Sequence, residues 1–433
     1  MICPHTRAQL PRYSSHIATS QGLPSRGEAW AIDGPVRGLA PAQWQWPSRP
    51  IFFISDAHAD AAAFDASLLI SGGVQWVHND LQLTREGREG LFVIGGDCLD
   101  KGPSNLALLR RVRRLMALGA SVKLLAGNHD MRLLMGLRAL ALPASPLTDH
   151  LFVRMGAKAV PLLREVFDSY LSGAPLPAWV PDADECRRRL LPAERWFREF
   201  PRAAAGLMPP LAIDKEVKRL REKRDTFEDA CALAGLDIRA VYATAHHCLQ
   251  LFCEPEGEFH WFFRDMELVH QEGAFLFLHA GLDDTLASVL ARKGSACLNR
   301  LYRHQSHHQP FEFYYGALAN ALRTKYRKVD RPLSEAGVRR AWQQGIRAVV
   351  HGHRNRLQGQ QLTLRQGLLH VEGDVTLDRN SRRKEGLSGI GAGVTIIRPQ
   401  GQLIGISRDY PYAKVFSADS IAHVRSPRNH AAP

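Results

Sequence analysis

The 433-residue chain has no long hydrophobic run, and its longest uninterrupted apolar stretches, such as residues 274–278, have the length of a single buried strand. A helix that crosses a bilayer needs roughly 18 consecutive apolar residues, so a membrane-spanning protein is excluded. Segment 1–22 also lacks a charged start followed by an apolar stretch, which indicates that no signal peptide is present. We therefore expect a cytoplasmic protein with no membrane partner.

Cysteine is scarce as well, with seven residues that form no CxxC pair. The missing pairs exclude a zinc ribbon, and the odd, scattered number favours reduced thiols over a disulfide framework. No internal repeat or low-complexity tract is visible either. At roughly 150 residues per domain, the length predicts two or three globular domains.

Positive charge is in excess, because 56 Lys and Arg residues stand against 43 Asp and Glu residues, a formal net charge of +13. Such an excess favours anionic partners through long-range attraction. The basic residues fall in short clusters, which are more typical of solvated helix faces than of a binding groove. We therefore expect an anionic partner, with nucleic acid possible but not favoured; the oligomeric state is left open.

Five short apolar runs each end at a polar residue of a type that binds metals. The runs are 51–54 before Asp56, 91–94 before Asp97, 122–125 before Asn128, 274–278 before His279, and 348–350 before His351 and His353. Segments with helical spacing of apolar residues, such as 105–118, separate several of the runs. This alternation predicts an α/β core with a functional site at the carboxyl ends of the strands.

The whole chain divides by composition into five regions. Segment 1–48 reads as an irregular N-terminal leader, 49–140 and 272–410 as the two halves of a catalytic core, and 411–433 as a C-terminal tail. Between the halves, 141–271 loses the strand rhythm and shows amphipathic helical patterns. We predict a largely helical insertion there, which covers one side of the core and selects the substrate.

The polar residues after the strands share a chemical character. Carboxylate oxygens, an amide oxygen and imidazole nitrogens are present, and no thiolate is among them. This donor set suits Mn, with Fe or Zn as alternatives. Taken singly, Asp, Asn and His after a strand are common turn residues, so the prediction depends on their occurring together.

Five motifs that carry these residues follow one another in a set order. They are Asp56-x-His58, Gly96-Asp97-x-x-Asp100-Lys101-Gly102, Gly127-Asn128-His129-Asp130, His279-Ala280-Gly281 and Gly352-His353. In this order they resemble the calcineurin-like metallophosphoesterase superfamily, and most of all its branch of phosphoprotein phosphatases and bacterial diadenosine tetraphosphatases. The resemblance implies a four-layer α/β sandwich of two mixed sheets flanked by helices. It also implies two divalent metal ions at the strand ends.

The resemblance assigns a role to each motif residue. Two ions would be held by Asp56 and His58 on one side and by Asn128, His279 and His353 on the other, with Asp97 between them. His129 would be the general acid, oriented by Asp100. Lys101 stands where phosphoprotein phosphatases usually carry Arg, which replaces a bidentate fork by a point charge. His351 is a less favoured alternative to His353, and Asn355 stands where other branches carry a second His.

The implied activity is hydrolysis of phosphate esters by attack of a metal-bound hydroxide. We expect a phosphomonoesterase of the serine/threonine protein phosphatase type, which acts on a protein or a small molecule. The alternative is a nucleotide or dinucleoside polyphosphate hydrolase or a nuclease. A third hypothesis is a non-enzymatic scaffold that presents the insertion to a partner. The presence of every expected ligand and of the presumed acid argues against the scaffold.

Overall fold

The computed structural model describes residues 39–78 and 80–422. Its strands are β1 (Ile51–Ile54), β2 (Val74–Val77), β3 (Asp80–Leu83), β4 (Leu91–Ile94), β5 (Ser121–Leu125), β6 (Met266–Glu267), β7 (His270–Glu272), β8 (Phe275–Phe277), β9 (Ala348–His351), β10 (Gln361–Arg365), β11 (Leu368–Glu372), β12 (Gly393–Arg398), β13 (Gln402–Ser407) and β14 (Lys414–Ser417). The five apolar runs of the sequence thus form β1, β4, β5, β8 and β9, as predicted.

Helices connect most of these strands. They are α1 (Ala61–Ile70), α2 (Arg85–Glu89), α3 (Asn105–Ala117), α4 (Asn128–Ala141), α5 (Val160–Val166), α6 (Ala183–Leu190), α7 (Trp196–Ala204), α8 (Pro210–Leu233), α9 (Ile238–Cys253), α10 (His260–Arg264), α11 (Asp284–His308), α12 (Pro310–Tyr315), α13 (Asn320–Arg323), α14 (Glu335–Gln343), α15 (Arg379–Lys384) and α16 (Ala418–Ala422). Short 3-10 turns lie at Pro41–Gln43 and Val153–Ala159, and a π-helical turn lies at Phe167–Leu171. Among the described residues, no helix combines the length and the apolar character that crossing a bilayer requires.

Two mixed sheets form the core. The larger has seven strands in the order β14-β13-β12-β1-β4-β5-β6, and the smaller has five in the order β10-β11-β9-β8-β7. Strands β1, β4, β5 and β6 run parallel, as do β8, β9 and β11. The antiparallel pairs involve β12, β13 and β14 in the larger sheet and β7 and β10 in the smaller. The carboxyl ends of the parallel strands therefore lie at one edge of each sheet. A separate hairpin pairs β2 with β3.

Side chains alternate along the central strands and so divide the interior into layers. On β1, Phe53 faces the second sheet, where its ring centroid lies 6.1 Å from that of Phe277. Its neighbour Phe52 belongs to the other apolar core, together with the buried side chains of α1 and α3. On the second sheet, Leu276 and Val349 likewise join the core that includes α11 and α14. The layers follow in the order helices, sheet, sheet and helices, which is the four-layer α/β sandwich that the resemblance implies.

The insertion is helical over most of its length, from the 3-10 turn at Val153–Ala159 to α10. Two of its last segments are strands, because β6 extends the larger sheet beside β5 and β7 joins the smaller sheet beside β8. The larger sheet thus continues into the range 141–271 through β6, and the smaller sheet reaches the end of that range through β7. The division into leader, core, insertion and tail stays a prediction.

The two ends of the described chain pack on the core. Trp46, within the predicted leader, lies with its ring centroid 5.1 Å from that of Phe275, and Trp44 stacks beside it. Within the predicted tail, β14 pairs with β13. The remaining leader residues 1–38 and tail residues 423–433 lie outside the described residues.

Candidate metal centre and active site

Six predicted metal ligands lie directly after the carboxyl ends of five strands. Asp56 and His58 follow β1, Asp97 follows β4 and Asn128 follows β5, all in the larger sheet. From the smaller sheet, His279 follows β8 and His353 follows β9. The site therefore forms where the two sheets present the ends of their parallel strands to each other.

The loops that carry these residues have an unusual backbone. Asp56, His58, Asp97, Asp100 and His353 all have positive φ angles, between 43° and 75°. A non-glycine residue in this region carries a conformational cost of about 1–3 kcal/mol, and such residues concentrate at functional sites. Five of them around one centre indicate that the fold holds these side chains in place at the expense of local stability.

Close approach of the backbone explains the glycines of two motifs. At Gly352, an added Cβ would lie 2.0 Å from Oδ2 of Asp56 and 2.0 Å from the hydroxyl of Ser55. At Gly127, it would lie 1.9 Å from the backbone nitrogen of Asp97. Both positions therefore exclude any side chain, since ligand loops touch there: the loops after β9 and β1 meet between the two sheets, and those after β5 and β4 meet within the larger sheet.

Asp97 lies at the centre of the cluster. Its Oδ2 is 3.4 Å from Nε2 of His279, 3.8 Å from Nε2 of His58 and 3.9 Å from Nε2 of His129. Two groups of donor atoms compact enough to hold an ion occur among the described residues, one with His58 and His129 and one with His279 and His353. Asp97 belongs to both groups.

Asp56 and Asn128 complete the two sides of the cluster. Oδ1 of Asp56 is 3.8 Å from Nε2 of His58, and Oδ2 accepts a hydrogen bond of 3.0 Å from the backbone N–H of His353. The carboxamide of Asn128 lies 3.3 Å from Nε2 of His279 and 2.9 Å from Nδ1 of His353. The structure thus brings together all six predicted ligands.

Contacts of their Nδ1 atoms fix two buried histidines, His279 and His58. Nδ1 of His279 is 2.8 Å from the carbonyl oxygen of Gly95, and Nδ1 of His58 is 3.2 Å from that of Leu99. A ring whose Nδ1 donates to a carbonyl presents its Nε2 lone pair, which is the arrangement usual for metal-binding histidines. Both Nε2 atoms face Asp97.

Burial and charge shift the pKa values of the cluster. Burial lowers the pKa of His279, but the Asp97 and Asp56 carboxylates outweigh it and raise that pKa to about 10. Burial raises the pKa of Asp97, yet the positive charge of His279 and then of His129 holds it well below its usual range. For His353, burial and then the charge of His279 lower the pKa to about 2, which keeps this ring neutral. Asp97 is therefore held as a carboxylate beside a protonated His279, while His353 stays a neutral donor.

The spacing of the donors fits metal ions. Two donors that each lie about 2.1 Å from the same cation are roughly 3–4 Å apart, which matches the separations around Asp97. A cation already stands at the edge of the cluster, since Nζ of Lys101 lies 2.6 Å from Nε2 of His58. Oxygen and nitrogen donors without thiolate suit Mn, Fe or Zn. The residues present thus fit two divalent ions.

His129 faces the same centre but is held differently. Its Nδ1 lies 2.7 Å from Oδ2 of Asp100, and its backbone N–H donates to Oδ1 of Asp97 at 2.8 Å. The backbone N–H of Asp100 donates in turn to Oδ1 of Asn105 at 2.8 Å. The ring is therefore aimed by a chain of hydrogen bonds, and its Nε2 is left to face the site.

That chain continues into the insertion. Glu165 on α5 accepts hydrogen bonds from the backbone N–H of Asn105 at 2.8 Å and from that of Leu106 at 3.2 Å. It also accepts from the hydroxyl of Ser104. A carboxylate at the first turn of α3 satisfies N–H groups that have no partner within the helix. The insertion therefore supports the loop that holds His129.

A buried carboxylate joins the two central ligand loops. Oδ1 of Asp130 accepts from the backbone N–H of Leu99 at 2.9 Å, and Oδ2 accepts from that of Gly127 at 3.2 Å. Burial, and then the charge of Asp97, raise the pKa of Asp130 to about 7. This residue of the third motif is thus a structural link between the loops after β4 and β5.

The structure separates His351 from His353. His351 is buried at the end of β9, where its Nε2 lies 3.1 Å from a guanidinium nitrogen of Arg354 and its ring lies against that of His370. Only His353 joins Asp97 and His279. Asn355 is exposed and donates to Glu385, so it takes no part in the site.

Sequence reasoning missed three residues near the site. Asp374 is buried after β11, and burial followed by the nearby charge of Asp56 raises its pKa well above the usual range. The pair Gly373-Asp374 after an apolar strand was a readable signal, since it repeats the pattern of the other ligand loops. Glu165 and Lys158 belong to the insertion, and no local pattern marks them.

Comparison with solved structures gives distant likenesses. A cold-active protein tyrosine phosphatase is 15% identical, with a TM-score of 0.46 over 86% of this chain and 80% of that one. A cold-active protein-tyrosine phosphatase of a psychrophilic Shewanella is 13% identical, with a TM-score of 0.43 over 85% and 80%. A protein serine/threonine phosphatase from Saccharomyces cerevisiae is 13% identical, with a TM-score of 0.39 over 86% and 80%. No curated protein matches the chain.

The model of one protein family matches residues 49–211, and its description is calcineurin-like phosphoesterase. The match covers β1, β4 and β5 with their ligand loops and continues into the insertion. It contains Asp56, His58, Asp97, Asn128 and His129, whose side chains meet in the cluster described above. Residues 49–211 are therefore similar to calcineurin-like phosphoesterases, and this match, together with the cluster of donor atoms, supports a metal-dependent hydrolase of phosphoric esters.

Proposed function

We propose that this enzyme is a phosphomonoesterase with two metal ions, of the serine/threonine protein phosphatase type. The observation that carries the proposal is the position of Asp97, whose carboxylate belongs to both groups of donor atoms. One carboxylate between two dications reduces their mutual repulsion and keeps them close enough to act on one phosphoryl group. The substrate is a phosphomonoester of a protein or of a small molecule.

The ions are assigned to the residues that surround Asp97. Asp56 and His58 hold one ion, and Asn128, His279 and His353 hold the other. We propose Mn²⁺, with Fe or Zn as alternatives that the same donors accept. When bound, such ions supply Lewis acidity and an activated water for phosphoester hydrolysis.

The proton for the leaving group is assigned to His129. Because Nδ1 donates to Asp100, the transferable proton sits on Nε2, the atom that faces the cluster. A positioned histidine that protonates a departing oxygen accelerates hydrolysis by roughly 10²- to 10⁴-fold. Asp100 holds the ring in the orientation and tautomer that this task needs.

Lys101 is assigned to the phosphoryl oxygens. It stands at the mouth of the cluster, half-buried, beside His58. Its ammonium group is a point charge that attracts a phosphate without the fixed fork of an arginine. The contact with the substrate is therefore less directional than in enzymes with Arg at this place.

A substrate screen tests the proposal. The Mn²⁺-loaded enzyme is assayed on phenyl phosphate, bis(phenyl) phosphate, a dinucleoside polyphosphate and a phosphoserine peptide. We expect the highest kcat/KM on the monoesters, with the phosphopeptide above phenyl phosphate. A clear preference for the dinucleoside polyphosphate or the diester would replace this proposal by the nucleotide hydrolase or nuclease alternative. No hydrolysis of any of the four, with both ions bound, would favour the scaffold.

A further inference from the structure

A small pocket borders His129 on the side of the insertion. Its wall includes Asp100 and His129 from the core, Arg132 from the next turn of α4, and Met155 and Lys158 from the 3-10 segment of the insertion. A leaving group that takes a proton from His129 must lie close to that ring. The pocket is therefore placed to receive whatever the leaving oxygen is attached to.

The pocket carries more positive than negative charge, because Arg132 and Lys158 share its wall with a single carboxylate, that of Asp100. Within the described parts of the chain, Arg132 and Lys158 make no hydrogen bond or ion pair through their side chains, and Nε of Arg132 is buried without a partner. Asp100, the one carboxylate in the wall, is already bound to His129. A half-buried guanidinium without a partner is costly, and an anion would satisfy it.

More cations lie behind the same wall. Lys223 on α8 donates to the carbonyl oxygen of Arg154 at 2.9 Å, and burial followed by the charges of Arg154, Arg132 and Lys158 lowers its pKa to about 7. The buried carboxylate of this group, Glu216, is paired with Arg154. The lowered pKa of Lys223 thus reflects the crowding of cationic side chains near this wall, Arg132 and Lys158 among them.

The segment that carries Lys158 is fixed in place. Gly156 turns the chain with a φ of 65°, and an added Cβ there would lie 2.7 Å from Nζ of Lys223. On one side of this turn, the Arg154–Glu216 pair anchors the segment to α8. Lys158 therefore reaches the pocket from a defined position rather than from a free loop.

We propose that Arg132 and Lys158 form a subsite for a second phosphate group, carried by the leaving group of the substrate. The proposal rests on the function proposed above, since it assigns the leaving-group side by the position of His129. Two cations match the double negative charge of a phosphate, and the guanidinium offers parallel N–H donors to its oxygens. The subsite explains how the insertion selects a substrate without binding a metal.

Matched substrates that differ by one phosphate test the subsite. Propane-1,3-diyl bisphosphate is compared with propyl phosphate, and a doubly phosphorylated peptide with its singly phosphorylated form. We expect kcat/KM to favour the bisphosphate by about tenfold or more, the worth of one hydrogen bond between charged groups. The pair with the larger preference identifies a small molecule or a peptide as the source of the second phosphate.

Variants locate the effect. Lys158→Gln and Arg132→Gln should each lower the ratio of the two kcat/KM values to within about threefold of unity, because one charged contact of this size is lost. Lys218→Gln is the matched control, because Lys218 is an exposed lysine of α8 outside the pocket wall. It should keep the wild-type ratio.

The outcomes separate the two proposals. If the wild-type enzyme hydrolyses the monoesters but shows no preference in either pair, or if both pocket variants keep the preference, the subsite is refuted and the proposed function stands. If none of the four compounds is hydrolysed while two metal ions are bound, the proposed function itself fails. A lower ratio in Lys218→Gln would also refute the subsite, because it would trace the preference to general surface charge.

Discussion

Oε2 of Glu165 lies 2.8 Å from the backbone nitrogen of Asn105 and accepts its hydrogen bond. The two residues belong to different parts of the chain, Glu165 to the helical insertion and Asn105 to the first turn of α3 in the core. Asn105 holds the backbone of Asp100, and Asp100 orients His129. The insertion is therefore coupled to the proposed general acid through three consecutive contacts.

Replacing the carboxylate of Glu165 should slow the protonation of the leaving group by His129. Glu165→Gln puts an amide in place of the acceptor pair, so we expect kcat on phenyl phosphate to fall about tenfold, the equivalent of one charged hydrogen bond. The loss should be smaller on nitrophenyl phosphate, whose leaving group needs little protonation. Steady-state kinetics on the two esters measures the difference.

A structural defect alone would not produce that pattern. Glu185→Gln is the control, because Glu185 makes ion pairs with Arg188 and Arg189 on the exposed face of α6. It should leave both kinetic constants near the wild-type values. Equal losses on the two esters in Glu165→Gln would contradict the positioning role.

Replacing the proposed general acid, His129, should have a larger effect. His129→Ala should lower kcat on phenyl phosphate by roughly 10²- to 10⁴-fold and leave two metal ions bound. His304→Ala, at an exposed position of α11, serves as the control for a lost imidazole. Kinetics and metal analysis on the same preparations check both statements. A loss of metal in His129→Ala would show that His129 is a metal ligand and would contradict its role as the general acid.

The pKa of His279 predicts how metal binding depends on pH. Its pKa of about 10 means that the ring is protonated at neutral pH, so a cation that takes its Nε2 must displace a proton. Affinity for Mn²⁺ should then rise by about tenfold per pH unit for each proton released. Without metal, the pH dependence of folding stability runs in the opposite direction. The protonated His279 contributes its full stabilisation of the fold below about pH 6.5, and that contribution is lost as the pH rises through 10.

Calorimetric titration with Mn²⁺ at pH 6.5 and 7.5, in buffers of different ionisation enthalpy, measures both the affinity and the proton count. We expect at least one proton released per chain. An affinity that is the same at the two pH values, with no proton release, would show that His279 is not protonated in the site.

Much of the core could be predicted from the sequence because its signals are local. A buried strand is a short apolar run, and the ligands Asp97 and His279 follow such runs by three residues and one residue. Parallel pairing then brings together the ligands of β1, β4 and β5 in one sheet and those of β8 and β9 in the other, and the packing of the two sheets unites the two sets. The glycines of the motifs, such as Gly352, mark the points where loops touch.

The remaining features depend on contacts between distant segments. Glu165 and Lys158 look like ordinary helix residues, and their roles arise only when the insertion packs on α3 and α4. Likewise, β6 is two residues long, and its place beside β5 is set by pairing rather than by its own composition. Asp374 is different, because the Gly-Asp pair that marks it stands in the local sequence.

Metal stoichiometry tests the central claim, a two-ion centre built around Asp97, most directly. After loading with Mn²⁺ and removal of excess ion, elemental analysis should find two ions per chain in the wild-type protein and fewer than one in Asp97→Asn. Asp100→Asn should keep both ions while it loses turnover, since Asp100 contacts His129 and lies in neither donor group. A wild-type protein that binds a single ion, or an Asp97→Asn variant that keeps two, would contradict the account.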